Sequence, residues 1–135
     1  MTGKTESRTL YKICDELSKA RKITQKQRKQ LSNLLGTRFD NALDVVDQNR
    51  VKQYIFEPSE RRVWIVVGKS RDYEILPKAR FCACDDYYFR VISGKTTLCY
   101  HLIAQKLAEA LGKFTLIKES DEMYDTLMNE WKSAF

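Results

Sequence analysis

Apolar residues recur at helical spacing through the first third of the chain and at strand spacing through the second. Leu10, Ile13, Cys14 and Leu17 stand at i, i+3, i+4 and i+7, which marks one face of a helix. Thr24 and Gln27 hold the positions of a capping box, Leu31, Leu34 and Leu35 follow, and Gly36 supplies a stop. Thr37 then predicts the cap of a third, short helix with Phe39, Ala42, Leu43 and Val46 on its apolar side. Beyond it the period changes. Segments 51–58 (VKQYIFEP), 61–68 (RRVWIVVG) and 72–84 (DYEILPKARFCAC) are rich in β-branched and aromatic residues. Polar turns at Ser59-Glu60 and 68–71 divide them, which predicts a three-stranded antiparallel meander with Pro77 at an edge or bulge. Tyr100, Ile103, Ala104, Leu107 and Leu111 make a further helical stripe ending at Gly112. Ser120 is placed to cap a last helix carrying Tyr124, Leu127, Met128 and Trp131.

The expected class is α+β: N-terminal helices, a three-stranded antiparallel meander, then a cysteine-bearing knuckle leading into C-terminal helices. A chain of 135 residues, 43% of them hydrophobic, suits a single domain over 1–135 with a modest core that a metal staple would strengthen. Within it, 8–50 is helical and basic at its start, 51–81 is the meander, 82–112 a finger and 119–134 a C-terminal helix.

Charge is uneven. Residues 1–35 hold nine Lys or Arg against Glu6, Asp15 and Glu16, so the whole net charge of +6 lies there. The excess is densest at Lys19, Arg21, Lys22, Lys26, Arg28 and Lys29, which are the candidate DNA contacts. A solvated helix face or a surface for an acidic protein accounts for the block equally well. The absence of a long apolar run and of a signal-peptide core predicts an intracellular protein without a membrane span. That means cytoplasm or nucleoid in a prokaryote and the nucleus in a eukaryote. In a reducing compartment, four cysteines point to metal ligation or free thiols before disulfides.

The chemistry concentrates in Cys82-Ala-Cys84, fourteen intervening residues, then Cys99-Tyr-His101. Three thiolates and one imidazole complete the tetrahedron that zinc prefers, so these four residues are predicted to hold one structural Zn2+. On a helix, i and i+2 point roughly 200° apart. Cys99 must therefore precede the helix, and His101 must occupy its first turn. Buried structural cysteines beside a chance histidine are the plain alternative, and the matched i, i+2 spacings argue against it. Catalytic zinc needs an open position that four protein ligands close, and the sole histidine is committed to the metal, so no enzyme activity is expected. Asp85 and Asp86 either orient the imidazole or simply make a turn. Tyr87, Tyr88 and Phe89 either stack on bases or fill a small core. Ser93-Gly94-Lys95-Thr96-Thr97 imitates the end of a P-loop, but the required earlier glycine falls at Phe89; Gly3-Lys4-Thr5 has no upstream strand. No nucleotide site and no small-molecule substrate are expected.

The pair CxC then CxH resembles the SWIM-type zinc finger. Ala104 extends it to CxHxxA, similar to the SWIM subunit of Shu-type recombination complexes. Segments 34–51 (LLGTRFDNALDVVDQNRV) and 61–70 (RRVWIVVGKS) are similar to that subunit too, so the likeness runs from about Leu34 to Leu111. The resemblance implies a role in homologous recombination and DNA repair. It also implies a heterodimer with a RecA-family recombinase paralogue, support of recombinase filaments on single-stranded DNA, and weak DNA binding by the chain alone. A stand-alone DNA-binding zinc-finger protein, transcriptional or mobile-element related, is the alternative. Tyr124, Leu127, Met128 and Trp131 either anchor the partner or pack on the domain itself.

Overall fold

The computed structural model describes the backbone of residues 2–68, 72–76, 81–82 and 99–132, with side chains except at 2–7, 81–82 and 132. Three helices open the chain: α1 (Thr2–Ala20), α2 (Gln25–Leu35) and α3 (Thr37–Asp47). The stripe read on α1 is buried in full, with Leu10 at 0% and Leu17 at 1% exposure. Thr24 caps α2 as expected, its hydroxyl accepting from the Gln27 amide while the Gln27 side chain accepts from the Thr24 amide. The start of α3 differs from the expectation. Gly36 is its N-cap with no side-chain bond, and Thr37 is already the first helical residue. Gly36 can serve both ends because its φ of 62° lets the chain reverse between two helices without a gap.

The meander forms as β1 (Val51–Glu57), β2 (Arg61–Val67) and β3 (Asp72–Leu76), antiparallel in register Val51↔Val66 and Trp64↔Ile75. It is not the whole sheet. A two-residue β4 (Phe81–Cys82) extends it beyond β3, and β5 (Thr115–Ser120) lies parallel to β1 on the other edge. The order is β4-β3-β2-β1-β5, a mixed sheet with four strands of five to seven residues and one of two. The three-stranded antiparallel meander is therefore corrected to a mixed sheet that contains it. Helix α4 (Tyr100–Leu111) runs between β4 and β5, and Gly112 ends it in the left-handed region. This crossover helix allows β5 to enter parallel to β1. The expected C-terminal helix over 119–134 is shorter: a 3-10 turn at Asp121–Met123 follows β5, then α5 (Tyr124–Lys132). Ser120 caps the 3-10 turn rather than α5, accepting from the Glu122 amide.

Alternation along the strands gives the sheet two apolar faces. Val51, Trp64, Val66 and Ile75 face a helical layer in which Leu10, Leu31, Phe39, Val45, Ile103 and Leu107 meet in one core. Tyr54, Phe56, Val63 and Ile65 face α5. There Tyr54 stacks on Trp131 with ring centroids 5.0 Å apart, and Tyr124 meets Phe56 edge-on at 5.1 Å. Ser59 ties the β1–β2 turn to this side, its amide and hydroxyl donating to the Asp121 carboxylate at 3.0 and 2.6 Å. Of the two roles open to the Tyr124–Trp131 stripe, the packing role is the one realised: Trp131 is 5% exposed. Pro77, the aromatic run 87–89 and the Ser93–Thr97 string lie outside the described residues, while Gly3-Lys4-Thr5 sits inside α1.

Candidate metal centre

Cys99 is the N-cap of α4 with extended backbone (φ −81°, ψ 165°), and His101 is the second residue of the helix. This is the arrangement the i, i+2 spacing demands. The bend of the chain at Cys99 lets two residues that would diverge on a continuous helix be presented from one end. Cys99 is 0% exposed and His101 3%. The His101 ring is tilted against two tyrosine rings, Tyr73 of β3 with centroids 4.6 Å apart and Tyr100 at 4.0 Å, and these contacts restrict the orientation of the imidazole. On the sheet, Cys82 is the register partner of Ile75. Direct cross-strand partners belong to one face, and residues 73 and 75 share it by alternation. Backbone position 82 thus belongs to the face that carries Tyr73, and β4 and β3 both contact α4.

The chain therefore brings the β4 end of the first cysteine pair and the α4 start of the second to the same side of the sheet. Cys84, Asp85 and Asp86 lie outside the described residues. Among the described residues there is no group of three or more ligating side chains. The two described donors fit a zinc site chemically: a thiol and an imidazole from one helix start, both removed from water. Ala104, one turn beyond His101, is 0% exposed within the helical core, where its methyl leaves room for the neighbouring elements.

The basic residues separate. Lys19, Arg21 and Lys22 lie at the end of α1 and in the turn after it, and Lys26, Arg28 and Lys29 lie on α2; all six are exposed. Arg21, Lys22 and Arg28 line one cleft together with Lys113, a residue the linear charge count missed because it is nearly a hundred positions away. Lys19, Lys26 and Lys29 do not line it. Gln105 was also missed. It is 0% exposed in the core, donating to Glu109 at 3.1 Å, and nothing in helical periodicity marks a buried amide. No helix among the described residues is long and apolar enough to cross a membrane.

A mixed sheet whose edge strand carries one Cys-x-Cys cysteine, with Cys-x-His set across a helix start, has the ligand order of a SWIM-type zinc finger. Comparison with known proteins agrees. The chain is 33% identical to human zinc finger SWIM domain-containing protein 7 over 105 residues, covering 76% of this chain and 74% of that protein. It is 28% identical to the Danio rerio protein of the same name over 93% of this chain and 96% of the relative. It is 26% identical to the Dictyostelium discoideum homologue over 87% and 76%. The chain belongs to the zinc finger SWIM domain-containing protein 7 family. No family model and no solved structure matches it.

Proposed function

We propose that this protein is a zinc-stapled, non-catalytic accessory factor of homologous recombination and repair, working as a heterodimer with a RecA-family recombinase paralogue on single-stranded DNA. The observation that carries the reading is the helix-start geometry of Cys99 and His101 beside β4, in a chain of this family. Cys82, Cys84, Cys99 and His101 would hold one Zn2+, whose chemistry is structural: it ties the sheet edge to the start of the central helix. Four protein ligands close the coordination shell, and His101 is then unavailable as a general base. Asp85 and Asp86 are assigned to the imidazole's surroundings or to the turn. The recombination role and the recombinase partner rest on the resemblance carried by 34–51, 61–70 and Ala104.

Two measurements test this. Metal analysis should give about one zinc per chain, lost in Cys99→Ser with a fall in stability; no bound metal and a variant as stable as the parent overturn the metal assignment. Affinity capture of the full chain from its native cell should bring down a RecA-family protein. Capture without one, joined to tight DNA binding by the isolated chain, turns the reading to a stand-alone DNA-binding protein, which the exposed cations of α2 favour.

A further inference from the structure

An open cleft of about 420 Å3 lies where the α1–α2 turn meets the C-terminal ends of α3 and α4. Its rim carries Arg21, Lys22, Arg28 and Lys113 against a single acid, Asp47. None of these four cations forms an ion pair among the described residues. The less exposed part of its lining, taken as the floor, is apolar: Ile23 and Leu43 are half-buried and Leu111 is buried. The left-handed conformation of Arg21 (φ 54°) accompanies a side chain laid over Gly112, whose Cβ, if present, would stand 3.4 Å from a guanidinium nitrogen. Tertiary structure thus converts a linear basic block into a concave site by adding Lys113 from the far end of α4. Lys26 and Lys29 stand on other sides of α2 outside the cleft, and no acid occurs anywhere from 17 to 39.

We infer that this cleft is where the protein holds single-stranded DNA, phosphates on the cationic rim and an unstacked base against the apolar floor. The inference rests on the proposed role on DNA and locates it. Cations flanking an apolar floor suit a strand that offers both charge and an open base face. Duplex DNA presents its phosphates without exposed base faces and would use only the rim. The volume is within the roughly 300–1,000 Å3 typical of sites for small ligands, enough for one nucleotide unit. An acidic peptide could satisfy the rim and is the competing occupant.

The test measures binding of the full zinc-loaded chain to labelled oligo(dT) at about 50 mM salt, by fluorescence anisotropy. Lys113→Glu and Arg28→Glu should each weaken binding about tenfold. Lys118→Glu, an equal charge change on β5, should change it less than twofold. Lys113→Gln should lower the salt slope by about 0.7, one cation's share for a single strand. If a charge reversal fails to fold, Lys113→Gln and Arg28→Gln carry the comparison. A parent chain that does not bind, cleft variants that bind like the parent, or a control that loses as much would each overturn the inference. So would duplex affinity that equals and falls with the single-strand affinity, or competition by poly-glutamate as strong as by unlabelled oligo(dT). Recombinase capture is independent: a working cleft without a recombinase partner leaves the cleft and removes the recombination role, and the reverse does the opposite.

Discussion

Cys14 and Cys99 are both enclosed thiols, and their surroundings ask opposite chemistry of them. Cys14 sits in the α1 face of the helical core, where burial pushes its pKa up to about 12, with Lys106 opposing and Asp15 and Glu109 adding to the rise. It is held neutral and is inert. Cys99 has a backbone bend and an imidazole two residues on. The Cys14 shift has a pH consequence. The unfolded thiol ionises near 9.0 and the folded one near 12, so between those values the native state keeps a proton that the unfolded state has lost. Its contribution to stability is complete below pH 9 and declines as pH rises toward 12, by up to about 1.4 kcal/mol per pH unit. Urea denaturation across pH 8–11 should show this decline in the parent and a shallower one in Cys14→Ala. Equal slopes would mean that the thiol is solvated in the native state.

The elements that periodicity missed are those that depend on another element's backbone. β5 alternates between half-buried and exposed residues, and its Leu116 is 48% exposed, so its sequence gives little hydrophobic signal. It is a strand because β1 offers it an unpaired edge from Lys52 to Glu57. Helix α5 shows the reverse. Its stripe was plain, but whether it faced a partner or its own sheet depended on whether that sheet had a second apolar face. Tyr54, Phe56, Val63 and Ile65 provide one, and Arg61 adds a cation over the Tyr124 ring at 4.5 Å. Trp131→Ala should therefore cost about 3–5 kcal/mol of stability by emptying the stack on Tyr54. Chemical denaturation measures it. A variant as stable as the parent that fails only in complex formation would return Trp131 to the role of a partner anchor.

At the scale of the molecule, zinc would join layers that already share a core. Ile103, Ala104, Leu107 and Ala108 of α4 are 0% exposed, and α4 contacts α1, α3 and the sheet. Metal loss should therefore not melt α4 as a separate unit from α1. Chelation at neutral pH should weaken amide protection at Ile103, whose N–H closes the first turn of α4 onto the Cys99 carbonyl at 3.2 Å. It should also lower global stability, with 104–111 and α1 losing protection together only on global unfolding. Hydrogen exchange with zinc loss confirmed would show this. Protection unchanged throughout would overturn the coupling, and loss of 104–111 with α1 intact would show that the helical layer is not one core. Acidification should act in the same direction as chelation, since protons compete for the thiolates and imidazole.

Local periodicity, capping and spacing determined by themselves the helix faces, the Thr24 cap, the three meander strands and the need for Cys99 to stand outside α4. Each of these depends on neighbours within about seven residues, where chain geometry couples side chains directly. Tertiary structure alone decided the parallel placement of β5 and the inward turn of Trp131. It also decided the tilted ring contact of Tyr73 with His101 and the joining of Lys113 to Arg21, Lys22 and Arg28. These pair residues far apart in the chain, and such contacts form only when burial of the two sheet faces brings their elements together.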